Sequence, residues 1–330
     1  MLQWGTRSEN HDRHPFDRRV LPFLSSVTRL AWCVSLFLWG HTLVWPSAPT
    51  EAAQLRIRKE ILIQQTDRAL ATVTGHFEHV GDIAEKGECQ LHASVRAKEI
   101  NVAIVGEFIN ACSTKLDAQE IRLLSQNGAI PIAGVFRIWF PHAARIDDIF
   151  SEEFELEPYR DASPKHAVEI HPVVHAADRS FYETVRAMEK ADFKADGVEM
   201  LSRLMKRKIT AEQYQGDDGK EFVAIESGGA LPNYFHLKAI LRSKPIPTED
   251  GFMASIDILD RHRTIASGIR LFSIDGTKGN RALQSMKKNS EFSFWGITRL
   301  DGKKLLKVLD EDAGYHVPIP FEFVVLDIHK

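Results

Sequence analysis

Cysteine is scarce in this chain: Cys33, Cys89 and Cys112 are the whole complement among 330 residues. So few thiols exclude a disulfide-dense scaffold and a zinc module built on paired CxxC motifs. The compact signatures of common enzymes are missing too. There is no GxSxG nucleophile elbow, no GxxxxGK[ST] phosphate loop, no GxGxxG after a first strand and no HExxH. Charge of one sign is not in excess: 42 Lys and Arg against 45 Asp and Glu leave a formal net charge of -3. No global basic field is present to recruit an anionic partner. With 44% hydrophobic and 26% charged residues, the composition is that of a folded chain.

Long apolar runs are also few. The main one spans Leu30 to Trp45 and is interrupted by Gly40 and His41, which is short for a membrane span of about 20 residues. Arg18 and Arg19 precede it, and the small-residue segment PSAPTEAAQ follows. Basic, apolar and small-residue zones in that order predict a secretory signal over residues 1–53, cut after Ala52. The alternative is an uncleaved anchor, which would then be the chain's contact with a membrane. Export, periplasmic or secreted, leaves Cys89 and Cys112 in an oxidising compartment, where they are expected to form one disulfide; two separate buried thiols are the alternative.

The exported part is long enough for two domains. ATVTGHF and CQLHASVR alternate apolar and polar residues with a period of two, and INVAIVGEF reads as a third strand. LDAQEIRLLSQNG then changes to helical spacing, with Asp117 as N-cap and Gly128 as the stop. IPIAGVFRIWF and HAVEIHPVV return to strands. Three strands, a helix and two strands is the order of an OB-fold, a five-stranded Greek-key barrel. The order recurs in NYFHLKAILRS, GFMASIDILD, TIASGIRLFSI, GNRALQSMKKN, EFSFWGIT and PFEFVVLDI. The expectation is therefore a mainly β protein of two OB-like barrels in tandem, 66–176 and 209–330, joined by a helical connector over 177–208. Gly134 and Gly296 fall at the same place in the two fourth strands, where barrels bend.

The stretch HAVEIHPVVH, residues 166–175, concentrates the chain's candidate chemistry. Side chains alternate along a strand, so Val168, Ile170 and Val174 are expected inside and Glu169 and His171 outside. With His92 and Asp82 they would offer nitrogen and oxygen ligands to zinc, and the corresponding function is a metal-dependent hydrolase. Nothing in the spacing fixes ligand geometry, and the competing expectation is polar cover on a barrel surface, with no cofactor. The acidic loop 141–165 lacks the DxDxDG spacing of a calcium site and would repel phosphates beside the OB binding face. In the second barrel Arg242 and Arg270, with the aromatics Tyr234 and Trp295, are the candidate binding residues for an oligonucleotide or polysaccharide. Acids at 257, 260, 275 and 301 balance them, and an exported chain seldom meets nucleic acid.

GD at 81–82, CQLH from Cys89 to His92, GEFINACS at 106–113, and GVFRIWF followed by EIHPV together resemble a group of uncharacterised bacterial exported proteins. The resemblance covers about residues 66–175. It implies a bacterial source, export and a small β-barrel, and it implies no activity. In that group the GD stands closer to the histidine than here, where IAEKGECQ intervenes. The reading these features favour is an exported, non-catalytic binding protein for an envelope component or a small ligand.

Overall fold

The computed structural model describes residues 54–84, 88–98, 103–138, 159–164, 166–189, 193–217, 219–227, 232–311 and 314–329. The expected signal segment and most of the acidic loop lie outside these residues.

The chain opens with strand β1 (Gln54–Arg58) and helix α1 (Lys59–Gln64), parts of a sheet completed much later. The first barrel follows: β2 (Ala71–Val80), β3 (Leu91–Ala97), β4 (Ile104–Phe108), the short helices α2 (Ala111–Thr114) and α3 (Ala118–Leu124), then β5 (Ile130–Ile138) and β6 (Val168–Ala176). The alternation in β2 is realised, since Ala71, Val73 and Phe77 are buried and Thr72 is exposed. Asp117 caps α3 by accepting from Gln119 N at 2.8 Å, and Ile121 is the side chain this helix buries. Strand order β4-β3-β2-β5-β6 closes through parallel pairing of β4 with β6.

The segment expected to be a helical connector holds the two-residue strand β7 (Arg179–Ser180), a single 3-10 turn (Tyr182–Thr184) and helix α4 (Val198–Leu204). Strands β8 (Lys208–Gln215) and β9 (Glu221–Ser227) then form a hairpin that lies outside both barrels. Its alternate residues Ile209 and Ala211 are buried, a period of two that marks strands.

The second barrel comprises β10 (Tyr234–Leu241), the short edge strand β11 (Ile246–Pro247), β12 (Gly251–Asp260), β13 (Arg263–Ile274), α5 (Lys278–Gln284), β14 (Glu291–Leu300) and, after α6 (Gly302–Glu311) and β15 (Gly314–Pro318), β16 (Phe321–His329). Here β13 and β16 pair in parallel and β10 pairs with β12 and β14. Strand for strand, the closure is that of the first barrel. Strand β15 leaves this barrel and completes the third sheet, in the order β1-β9-β8-β15. Both OB-like barrels expected from the sequence are present.

The barrels share a buried interface. One apolar cluster joins Ala69, Ile109, Val135 and Val174 of the first barrel to Phe272, Ile274, Ile297, Val324 and Leu326 of the second. Two of these residues are aimed there by matching β-bulges. Ala133 pairs with His175 and Gly134 with Val173, so Val174 is left over. Trp295 pairs with Asp327 and Gly296 with Val325, so Leu326 is left over. A bulge increases local twist and re-aims a side chain. Gly134 is required at its bulge, because a Cβ there would collide with the Pro172 carbonyl.

Candidate functional site

Glu169 and His171 do not point to solvent. Every residue of β6 is buried apart from the half-buried His175, because the second barrel covers the face that alternation would leave outside. Arg137 is the centre of what lies there, with 1% of its surface exposed. It stands opposite Glu169 in the β5–β6 register, and its Nη1 donates to Glu169 Oε2 at 2.9 Å. It also crosses to the second barrel, where Nη1 donates to Asn233 Oδ1 at 2.9 Å and Nε to Thr298 O at 2.8 Å.

His171 Nδ1 lies 3.1 Å from Arg137 Nη1, 3.1 Å from Glu107 Oε2 and 3.4 Å from Glu169 Oε2. Its Nε2 faces Tyr234 Oη at 2.6 Å, and Gln90 Nε2 donates to the same phenol. Glu107 Oε2 is close to His171 but not aligned with a ring N–H, so it accepts no hydrogen bond. His166 Nδ1 is 2.6 Å from Pro164 O, and its Nε2 is 3.2 Å from Glu169 Oε1.

The electrostatics separate these groups. Burial pushes the Glu107 carboxyl well above the usual carboxylate range, and the neighbouring Glu169 adds to the rise. Burial also opposes ionisation of Glu169, but the Arg137 guanidinium and hydrogen bonds from His166 and His171 outweigh it and hold this carboxyl low. Burial lowers His171 to about 4, against the pull of Glu169. The cluster thus holds one ion pair, Arg137 with Glu169, beside a His171 that is neutral near neutral pH and a Glu107 whose ionisation burial opposes.

The candidate zinc set is only partly assembled. His92 approaches Glu107 Oε2 at 3.7 Å and Gln90 Oε1 at 3.1 Å, whereas Asp82 is exposed at the end of β2. The residues that alternation missed are Glu107, Arg137 and His166. Glu107 and Arg137 are single charges inside apolar runs, IVGEF and GVFRI, a pattern that signals a buried partner. His166 stands three residues before Glu169 in the same stretch.

The candidate binding residues of the second barrel do not form one face. Tyr234 is buried between the barrels. Arg270 is spent on Asp301, Glu322 and the Thr66 carbonyl, and Arg242 donates to Asp257 Oδ2 at 2.7 Å. Trp295 remains half-buried, stacked on His236 with ring centroids 5.4 Å apart. Cys89 and Cys112 are disulfide-bonded, with Cα atoms 5.8 Å apart.

No known protein family and no curated protein matches this chain. Its own second barrel supplies a comparison. Arg137 and Arg299 each follow the bulge glycine by three residues, and Arg299 stands opposite Glu322 as Arg137 stands opposite Glu169. Counting outward from these registers, Glu107 corresponds to Phe272, His166 to Ile319, and the pair His171-Pro172 to the single residue Val324. The Arg–Glu pair is common to both barrels, and the additional polar groups belong to the first alone.

Proposed function

We propose that the chain is an exported, non-catalytic binding protein whose tandem OB-like barrels present their outer surface to an envelope component or a small ligand. One observation carries the reading: of the residues that would serve a hydrolase, Glu169 and His171 are buried beneath the second barrel, and Glu169 is committed to Arg137. Cavities of 220 and 280 Å³ are lined by other residues, among them Asn110 and Glu189 in one and Ser285 and Lys287 in the other. The Cys89–Cys112 disulfide supports an oxidising compartment. Among the described residues no helix is long and apolar enough to cross a membrane. Purified mature protein, beginning near Ala53, is expected to turn over no ester, phosphoester or peptide substrate with or without added zinc. Turnover that disappears in His171→Gln would overturn the reading.

The polysaccharide or oligonucleotide alternative has the Trp295–His236 stack in its favour, since a half-exposed aromatic pair suits a sugar or a base. Calorimetric titration with oligosaccharides and oligonucleotides at two salt concentrations tests it. Binding through this face disappears in Trp295→Ala, and salt dependence marks the nucleic acid.

A further inference from the structure

Among the described residues, Glu107, His166 and Glu169 each direct a ligand atom to one place, all within 4.8 Å of one another and all buried. They come from two adjacent strands and the segment leading into one of them: Glu107 from β4, Glu169 from β6, and His166 just before β6. His166 Nδ1 donates to the Pro164 carbonyl at 2.6 Å, and its Nε2 reaches Glu169 Oε1 at 3.2 Å. Glu107, 5% exposed, adds an oxygen, Oε2, that accepts no hydrogen bond.

We propose that Glu107, His166 and Glu169 bind one divalent ion of the zinc class at a buried, three-ligand site. Ligand atoms about 2.0 to 2.1 Å from a tetrahedral zinc stand roughly 3.3 Å apart, close to the 3.2 Å between His166 Nε2 and Glu169 Oε1. One imidazole nitrogen and two carboxylate oxygens suit zinc better than calcium or magnesium, which prefer oxygen alone. The outer contacts are those that metal ligands usually have: His166 donates its second ring proton to a carbonyl, and Glu169 Oε2 receives Arg137. Burial of all three ligands leaves no opening for substrate, so the ion stabilises the fold without catalysing, and the inference does not depend on which ligand the outer surface binds.

The second barrel is the internal control. It keeps the buried Arg–Glu pair as Arg299 and Glu322, yet has Phe272 where the first barrel has Glu107 and Ile319 where it has His166. A barrel of this construction closes with apolar residues at both positions. Glu107 and His166 therefore answer to something other than the fold, and a bound cation satisfies both at once.

The test uses purified mature protein with its disulfide intact. Elemental analysis after gel filtration is expected to find about one zinc per chain. Chelator is expected to lower the melting temperature and added zinc to restore it, since an ion that binds only the folded state stabilises it. Glu107→Gln and His166→Ile, checked for a native near-ultraviolet circular dichroism spectrum, are expected to weaken zinc binding by about 100-fold or more, at least the loss that follows removal of an outer-sphere partner. His166→Ile copies the residue of the second barrel, which favours a folded variant. Wild-type protein that retains no zinc and whose melting is indifferent to both zinc and chelator would overturn the proposal. Equal zinc binding by the folded variants and wild type would overturn it as well.

Discussion

Arg137 and Arg299 occupy equivalent positions in the two barrels and reach in opposite directions across the interface. Arg137 donates to Asn233, two residues before the Phe235 that pairs with Gly296. Arg299 donates to the carbonyl of Ala69, two residues before the Ala71 that pairs with Gly134. The arrangement is reciprocal, as in a two-fold dimer, but it is made within one chain. Each arginine also holds the buried glutamate opposite it.

Removing one partner of a buried pair strands the other charge. Arg137→Met is therefore expected to cost about 3 to 5 kcal/mol, read as a shift in the urea midpoint, and the double variant Arg137→Met/Glu169→Leu is expected to recover most of it. A cost below about 1 kcal/mol for the single variant would show that Glu169 finds another partner, or a proton, without consequence.

Burial of both faces of β6 changes what its substitutions should do. Ile170→Ala is expected to destabilise by about 2 to 5 kcal/mol through the cavity it leaves. His171→Ala, harmless if the residue were surface cover, is expected to cost about 1 to 3 kcal/mol, because Tyr234 Oη loses a buried partner. Thermal or urea unfolding of the two variants decides between a sealed and an exposed strand.

Acid stability of metal-stripped protein follows from His171 and Glu107 with opposite signs. His171 falls to about 4 in the fold from an ordinary 6.5, burial being the main cause. Between those values the unfolded chain binds the extra proton, so stability is lost as pH falls from 6.5 to 4, by up to about 3 kcal/mol. Glu107 is raised by burial, so above about pH 4.5 the folded state holds the extra proton, and stability from this group falls as pH rises. The two slopes oppose each other in wild type. Glu107→Gln is expected to steepen the loss towards acid, and His171→Gln to remove it, in urea titrations from pH 4 to 7.

The disulfide joins residues 23 apart in sequence. Reduction, or Cys89→Ser/Cys112→Ser, is expected to cost about 3 kcal/mol, chiefly by freeing the unfolded chain. Mass spectrometry of unreduced mature protein showing two alkylatable thiols would refute the pairing.

Local pattern alone determined much of this protein. The period of two in ATVTGHF, the cap and stop around LDAQEIRLL and the recurrence of three strands, a helix and two strands are short-range signals, and they were enough to specify two OB-like barrels. Gly134 and Gly296 were legible as bends, and two cysteines as one disulfide. Periodicity fails where a face is covered by something distant in sequence. Alternation separated the sides of β6 correctly as far as His171, but it put Val174 inside the barrel, where Val173 stands instead and Val174 faces the interface; and only the second barrel's Asn233, Tyr234 and Thr298 decided that the polar side is interior. The bulges at Val174 and Leu326 added a second obstacle, because one unmatched residue changes the parity of everything beyond it. The third sheet was out of reach for the same reason, being assembled from the chain's first described strand, the hairpin between the barrels and a strand inserted in the second barrel. Which charges meet in the interior is set by long-range packing, and that only the tertiary structure decided.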